Sequence, residues 1–381
     1  MKTLLFSMLI IILGLGHSQS QEKARQKVEK SFYKILKKEN VHNGFLQIKS
    51  GDESLDWQFV GGEFQDGTSV NQANPFHAAS VGKMFTAALV LRLVEQGELQ
   101  LQDAVSKHLD SKILQGLHVF EGKDYSSKIT IQQLLQHTSG LPDYLMDKPK
   151  NDDKTLLQSV LNKPDKFWSV EDILAFSKEN LDGRFKPGEG YYYTDTEYIL
   201  LGLIIEKKLE KPLHQAFLDE IFRPLDMQNT SLYSRSEPVK KTGRIAEFYF
   251  NDTEISTYTS LSIDWAGGGI VTTTEDLMKF QQALSTGKLV SVETYQTMQA
   301  WIIESHGSYY GLGLRKYELK EFSKLLPELS LVGHSGINAA FSFYCPELDV
   351  YLTGSFNQTE QMEQAIKFLF QTLITLQYER S

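Results

Sequence analysis

The chain of 381 residues contains one cysteine, Cys345, so no disulfide can form within it and its stability must come from a packed core. It also lacks an excess of positive charge: 39 Lys+Arg stand against 48 Asp+Glu, a formal net charge of -9. That balance leaves no basic surface to attract nucleic acid and no polybasic segment to bind acidic lipid. Metal-binding patterns are missing too. The nine histidines are scattered, with no H-E-x-x-H and no cysteine pair, which argues against a zinc hydrolase; no metal and no cofactor is expected. Gly267-Gly268-Gly269 has neither the following Lys-Ser/Thr of a phosphate loop nor a G-x-G-x-x-G spacing, and reads as close packing of backbone. Internal repeats and low-complexity linkers are absent. Cys345 follows the apolar run 341–344 and precedes Pro346, the setting of a buried structural thiol.

A long apolar run occurs only at the start. Lys2, the apolar stretch 4–16 and the small residues Ser18 and Ser20 form the pattern of a secretory signal, too short to span a bilayer comfortably. Residues 1–20 are therefore expected to be a signal peptide. The mature protein would be exported, periplasmic or secreted, with no stable membrane insertion after cleavage.

What remains, with 41% hydrophobic and 23% charged residues overall, has globular proportions. Between residues 22 and 38 charges alternate in sign around Phe32, Ile35 and Leu36, as on a solvated amphipathic helix. Alternating segments at 44–49 and 55–60, joined by turn residues 50–54, predict an antiparallel hairpin. A helix is expected from Ser80 to Gly97, another at 129–135 capped by Thr130, and helical periods dominate 153–225, notably at 170–176 and 198–209. Strand signals return at 312–317, 329–334, 339–344 and 350–355, and a terminal helix at about 361–378. Both chain ends thus supply sheet and flanking helices while the middle supplies helices. The expected architecture is α+β: one antiparallel sheet built from both ends (about 21–80 and 260–381) with an inserted helical lobe (about 81–259). A cleft between the lobes is the favoured place for a site. The irregular stretch 228–258 is long enough to carry a variable substrate loop.

Ser80-Val81-Gly82-Lys83 stands where an extended segment turns into the long apolar helix. Residues three apart on a helix share a face, so hydroxyl and amine project together, and an amine kept partly neutral can take the serine proton. This is the pattern of an acyl-transfer nucleophile. Tyr193-Thr194-Asp195 follows Pro187-Gly188 and precedes a strongly apolar helix; His334-Ser335-Gly336 ends a strand, with a glycine that lets another backbone come close. Each motif alone also suits a structural role: Ser80 as a helix cap, Tyr193 as a packed ring beside an Asp195 or Thr196 cap, Ser335 and Gly336 as a turn. His137-Thr138-Ser139-Gly140 before Pro142 reads as a turn rather than a second catalytic pair, because Ser, Gly and Pro punctuate turns.

Taken together these segments resemble the serine β-lactamase and penicillin-binding protein group, known by its S-x-x-K, S-D-N and K-T-G motifs. The resemblance is to the branch of class C β-lactamases, D-alanyl-D-alanine carboxypeptidases, D-aminopeptidases and esterases. It rests on HAASVGKMFTAALVLRLVEQG at 77–97, ITIQQLLQHTSGLPDY at 129–144, FKPGEGYYYTDTEYILLGLIIE at 185–206 and AGGGIVTTTEDLMKF at 266–280. It implies the β-lactamase/transpeptidase-like fold, Ser80 as the acylated nucleophile, Lys83 as its general-base partner and Tyr193 as a proton carrier. It further implies that His334, Ser335 and Gly336 line the substrate and that the amides of Ser80 and Ile337 form the oxyanion hole. The expected substrate is a small molecule or peptide with an amide or ester bond, foremost a peptide ending in D-residues. A carboxypeptidase or D-aminopeptidase leads, with an esterase or β-lactamase as the enzymatic alternative and a non-catalytic penicillin sensor or scaffold as the alternative of another kind.

The chain departs from the family at Asp195, where asparagine is usual. A carboxylate there accepts but cannot donate, holds Lys83 in its charged form, and favours a substrate that carries an amine over one with an acylamino side chain.

Overall fold

The computed structural model describes every residue except Met1, Asp152, Thr242 and Ser381, and the side chains of all described residues except 2–18, 379 and 380. The expected signal segment thus lies almost wholly outside the described side chains. Among the described residues no helix is long and apolar enough to cross a membrane.

Helix α1 (Lys2–Leu36) carries Ala24, Val28, Phe32 and Ile35 at spacings of three and four, and all four are buried. The charges between them face outward. Strands β1 (Asn43–Ser50) and β2 (Asp56–Gly62) pair antiparallel as the expected hairpin. A short strand β3 (Phe76–His77) leads through a 3-10 turn, Ala79–Val81, into α2 (Gly82–Glu95). Helix α3 (Thr196–Leu209) crosses α2 in the helical lobe. Strands β4 (Ser231–Leu232) and β5 (Ile270–Thr272) join β3 in a small sheet of order β3-β5-β4, and α4 (Thr274–Ser285) follows directly.

The main sheet is completed by β6 (Ile302–Ser305), β7 (Ser308–Tyr310), β8 (Arg315–Glu318), β9 (Ser330–Ser335), β10 (Phe341–Cys345) and β11 (Val350–Ser355). Its order is β6-β7-β8-β9-β10-β11-β1-β2, antiparallel throughout. The amino-terminal hairpin therefore docks on the last strand. Helix α5 (Met362–Arg380) closes the chain against α1, and the two cover a core of Leu46, Ile48, Phe341, Phe343, Leu352 and Phe368. On the other face a second core fills the helical lobe and runs under α4, where Phe85 stacks on Phe280 at 3.7 Å.

Two details depart from expectation. The strand predicted at 312–317 begins only at Arg315, because Gly313 takes φ +76° and breaks the extended run. Strands β6 and β7 went unpredicted. The burial of β6 alternates only between half-buried and exposed, so an edge strand without a buried face carries no apolar signal.

Candidate active site

The 3-10 turn before α2 presents Ser80 from a strained corner: Ala79 has φ +47°, the left-handed region, at a cost of order 1–3 kcal/mol for a residue with a Cβ. Close backbone contacts hold that corner. A Cβ at Gly268 would lie 3.1 Å from Ala79 C, and one at Gly336 would lie 2.8 Å from Ala78 O. Asn338 Nδ2 donates to His77 O at 2.6 Å. The glycine triplet is thus backbone packing, as its spacing suggested.

One turn beyond Ser80, at the start of α2, Lys83 is fully buried, and its ammonium has three acceptors. It donates to Ser80 Oγ at 3.3 Å, to Gly267 O at 3.2 Å and to Asp195 Oδ1 in a short ion pair. Burial works to lower the Lys83 pKa, yet the charge of Asp195 foremost, with the Tyr193 oxygen beside it, outweighs it and holds the amine well above its usual value. Gly267 permits the pairing, because a Cβ there would stand 2.9 Å from Asp195 Oδ1.

Asp195 occupies the cap position of α3 but makes no capping bond. Its side chain turns to Lys83, while its amide donates to Asp143 Oδ2 at 3.0 Å. Asp143 is buried and also accepts from Leu145 N at 2.7 Å and Met146 N at 3.0 Å. Burial and the neighbouring Asp195 push its pKa up to about 7.

The Tyr193 ring lies under Lys83 Nζ at 4.9 Å and stacks on His137 at 4.2 Å. Its Oη is buried and makes no well-aligned hydrogen bond among the described residues, with the Lys83 ammonium its nearby polar neighbour. Burial first, then Asp195, raise the phenol pKa against the opposing pull of Lys83 and Arg315, so Tyr193 is a neutral phenol at rest.

Ser80, Tyr193, Asp195, Ser335 and Ile337 border one cavity of about 290 Å³, together with Asp143, Asp264, Arg315 and the side chains of Leu145, Met146 and Met362. Neither the Ser80 nor the Ile337 amide is engaged in a turn or loop hydrogen bond among the described residues. The Gly336 amide is taken by Ala340 O at 2.8 Å. His334 differs from the expectation that it lines the substrate. It is fully buried beneath the cavity, with Nδ1 donating to Ser335 O at 2.8 Å and Nε2 accepting from Tyr310 Oη at 3.0 Å. Burial, reinforced by Arg315 and Lys83, keeps it neutral. The alternating pleat of β9 turns residue 335 toward the cavity and residue 334 away.

Two groups escaped the sequence reading. Arg315 on β8 sits across from Gly333 on β9 and donates to Ser335 Oγ at 3.1 Å. Its other donors grip Glu304 at 2.7 and 2.6 Å. No motif marks it, since a strand partner is revealed only by register. The second is Glu197, buried on α3, on which two side chains of the expected turn His137-Thr138-Ser139 converge: Ser139 Oγ at 2.5 Å and His137 Nδ1 in a short contact. Burial raises the Glu197 pKa and lowers that of His137, so it favours the neutral form of both partners. Two residues apart in a turn, they do not face each other; both face α3.

The irregular stretch 228–258 does not reach Ser80. It lines a separate cavity of about 820 Å³ below the small sheet, with Phe64, Pro75 and Val271. The expected substrate loop is therefore located elsewhere in the fold than the nucleophile.

The family profile described as Beta-lactamase matches residues 44–373. Penicillin-binding protein 4* of Bacillus subtilis (strain 168) is 27% identical over 307 residues, which cover 77% of this chain and 63% of that protein. The chain thus spans under two thirds of that relative's length. Among solved structures, a D-stereospecific amidohydrolase from Streptomyces sp. superposes with a TM-score of 0.73 at 25% identity, covering 90% of this chain and 96% of the other. The D-amino acid amidase from Ochrobactrum anthropi SV3, complexed with L-phenylalanine amide, gives a TM-score of 0.74 at 21% identity over 94% and 99% of the two chains.

Proposed function

The chain belongs to the Beta-lactamase family of serine hydrolases, and on that footing we propose an exported enzyme that cleaves an amide or ester bond through an acyl-enzyme on Ser80, preferring acyl groups with a free amine. The observation that carries this reading is the meeting of Ser80 Oγ and Lys83 Nζ at 3.3 Å in the wall of a cavity that Tyr193 also borders. Export rests on the apolar pattern of residues 4–16.

At rest Lys83 spends its three N–H groups on Ser80, Gly267 and Asp195 and cannot act as a base. It must first lose a proton, either to Asp195 in contact with it or to water in the cavity. Lys83 then takes the Ser80 proton as Oγ attacks the carbonyl carbon, and the amides of Ser80 and Ile337 receive the charge on the carbonyl oxygen. Tyr193 donates its proton to the departing nitrogen or oxygen and regains it from the water that hydrolyses the acyl-enzyme. The first transfer is uphill. A cationic substrate eases it, because a second positive charge beside Lys83 lowers the amine pKa.

The charge of Arg315 is already matched by Glu304 through two hydrogen bonds, which leaves little attraction for a C-terminal carboxylate. Three carboxylates, Asp143, Asp195 and Asp264, border the same cavity. This balance favours a D-aminopeptidase or amidase over a D-alanyl-D-alanine carboxypeptidase. A simple esterase is the second reading, supported by the exposed apolar rim of Met146, Ile337 and Met362.

Incubation with a fluorophosphonate and with a fluorescent penicillin, followed by mass spectrometry, tests the assignment. The expected result is a fluorophosphonate adduct on Ser80, absent in Ser80→Ala, with turnover of a D-aminoacyl p-nitroanilide. A stable penicillin adduct without any turnover would make the protein a sensor; no adduct and no turnover, a scaffold.

A further inference from the structure

Asp264 closes a 3-10 turn, Thr259–Asp264, and stands at the cap position of the short helix Trp265–Gly268 that carries the glycine triplet. It makes no capping bond there. Among the described residues its carboxylate accepts no hydrogen bond and joins no ion pair. The contrast with its neighbours is sharp. Asp195 is held by Lys83 and Asp143 by three backbone amides, whereas Asp264 borders the Ser80 cavity with its oxygens unclaimed.

Asp264 is half-buried at the cavity wall, and a carboxylate that loses part of its hydration without gaining a donor is destabilised in its charged form. Burial and the charge of Asp195 accordingly push the Asp264 pKa up to about 7, with Lys83 opposing them. A second polar atom in the same cavity, the buried Tyr193 Oη, has no well-aligned hydrogen bond among the described residues and only the nearby Lys83 to interact with. The cations nearby are already engaged, Lys83 by Asp195 and Arg315 by Glu304 and Ser335, so none of them is hydrogen-bonded to Asp264 among the described residues. A metal ion does not suit it: among the described residues no group of three or more His, Cys, Asp or Glu is placed to hold one. An ammonium group does, since its N–H donors can be shared between separate acceptors.

We propose that Asp264 is the subsite for the free amine of the substrate, a specificity-determining carboxylate that binds the α-ammonium of an aminoacyl amide or ester while an apolar side chain lies along Leu145, Met146, Ile337 and Met362. This assignment rests on the acyl-enzyme reading above. It moves the expected amine contact from Asp195, which is committed to Lys83, to Asp264, whose carboxylate has no hydrogen bond or ion pair among the described residues. The groups facing Asp264 are Lys83 from α2, Asp143 and Tyr144 from the loop after the 131–135 helix, and Tyr193 and Asp195 from the approach to α3. Asp264 is ionised more fully once a cation arrives, so binding of the amine and loss of the Asp264 proton are linked.

A matched pair of esters tests it: the p-nitrophenyl ester of phenylalanine in its D form, and the 3-phenylpropionyl ester, identical but without the amine. In the unaltered protein the amine-bearing ester should have the lower KM by about tenfold or more. Asp264→Asn should remove that difference by raising KM for the amine ester alone, with kcat/KM for the desamino ester and the rate of fluorophosphonate labelling of Ser80 unchanged. Phenethylamine supplies a measurement that needs no variant, and should compete with desamino-ester hydrolysis more strongly as pH rises from 6 to 8. Equal losses on both esters would overturn the proposal by making Asp264 a general base or a structural group. Indifference to the amine in the unaltered protein would overturn it while leaving the acyl-enzyme reading intact. Failure of both esters and of labelling would refute the acyl-enzyme reading itself.

Discussion

Lys83 is a buried cation whose three hydrogens all have acceptors, and its catalytic use depends on how tightly Asp195 holds one of them. Replacing the carboxylate by an amide removes the charge that keeps the ammonium favourable. The sign follows directly: without that anion the charged form is less stable, the pKa falls, and more of the amine is neutral at a given pH. Asp195→Asn should therefore shift the rising limb of kcat/KM with pH to lower pH. It should also improve turnover of nitrocefin relative to aminoacyl esters, since an amide can donate to an acylamino carbonyl. A pH–rate profile on both substrates measures this; an unmoved limb and unchanged preference would remove Asp195 from control of Lys83.

At the scale of elements, the start of α3 is clamped by the turn at 137–139. Glu197 receives Ser139 and His137, and the His137 ring lies against Tyr193 at 4.2 Å, so the clamp fixes the phenol as well as the helix. Glu197→Ala would leave the Ser139 hydroxyl and His137 Nδ1 buried with an acceptor or donor lost, at a cost of about 1–3 kcal/mol for each group. Glu197→Gln keeps one acceptor and one donor in place and should cost well under half of that. Denaturant unfolding gives the stabilities. The accompanying loss of kcat should follow the same order, because a shifted Tyr193 is a poorer proton donor; equal effects of the two substitutions would show that the hydrogen bonds do not hold the element.

For the whole molecule, the amino-terminal hairpin is sandwiched onto β11 by pairings such as Phe45 with Ser355, and α1 and α5 seal that joint. These contacts link residues some 300 positions apart, so the sheet is completed only when both ends are present. Phe368 is 1% exposed in the core under α5. Phe368→Ala should cost about 3–5 kcal/mol through lost burial and the cavity left behind. It should lower the denaturation midpoint without altering the KM of the folded enzyme, because Ser80 lies on the opposite face of the sheet; a changed KM would show that the seal and the site are coupled.

Local chemistry determined a good deal in advance. The hairpin, the helix after Ser80, the Thr130 cap and the terminal helix are legible because apolar period, capping residues and glycine stops act within a few residues of one another. The same holds for Ser80 with Lys83, which one helical turn brings together, and for the tight glycines at 267–269. Tertiary structure alone decided that Asp195 abandons its cap for Lys83, that His334 faces the core while Ser335 faces the cavity, that Arg315 arrives from the neighbouring strand, and that Asp264 is left without a partner. Those outcomes depend on strand register and on which of several carboxylates meets the buried Lys83, and such distances are set by packing between segments far apart in the chain.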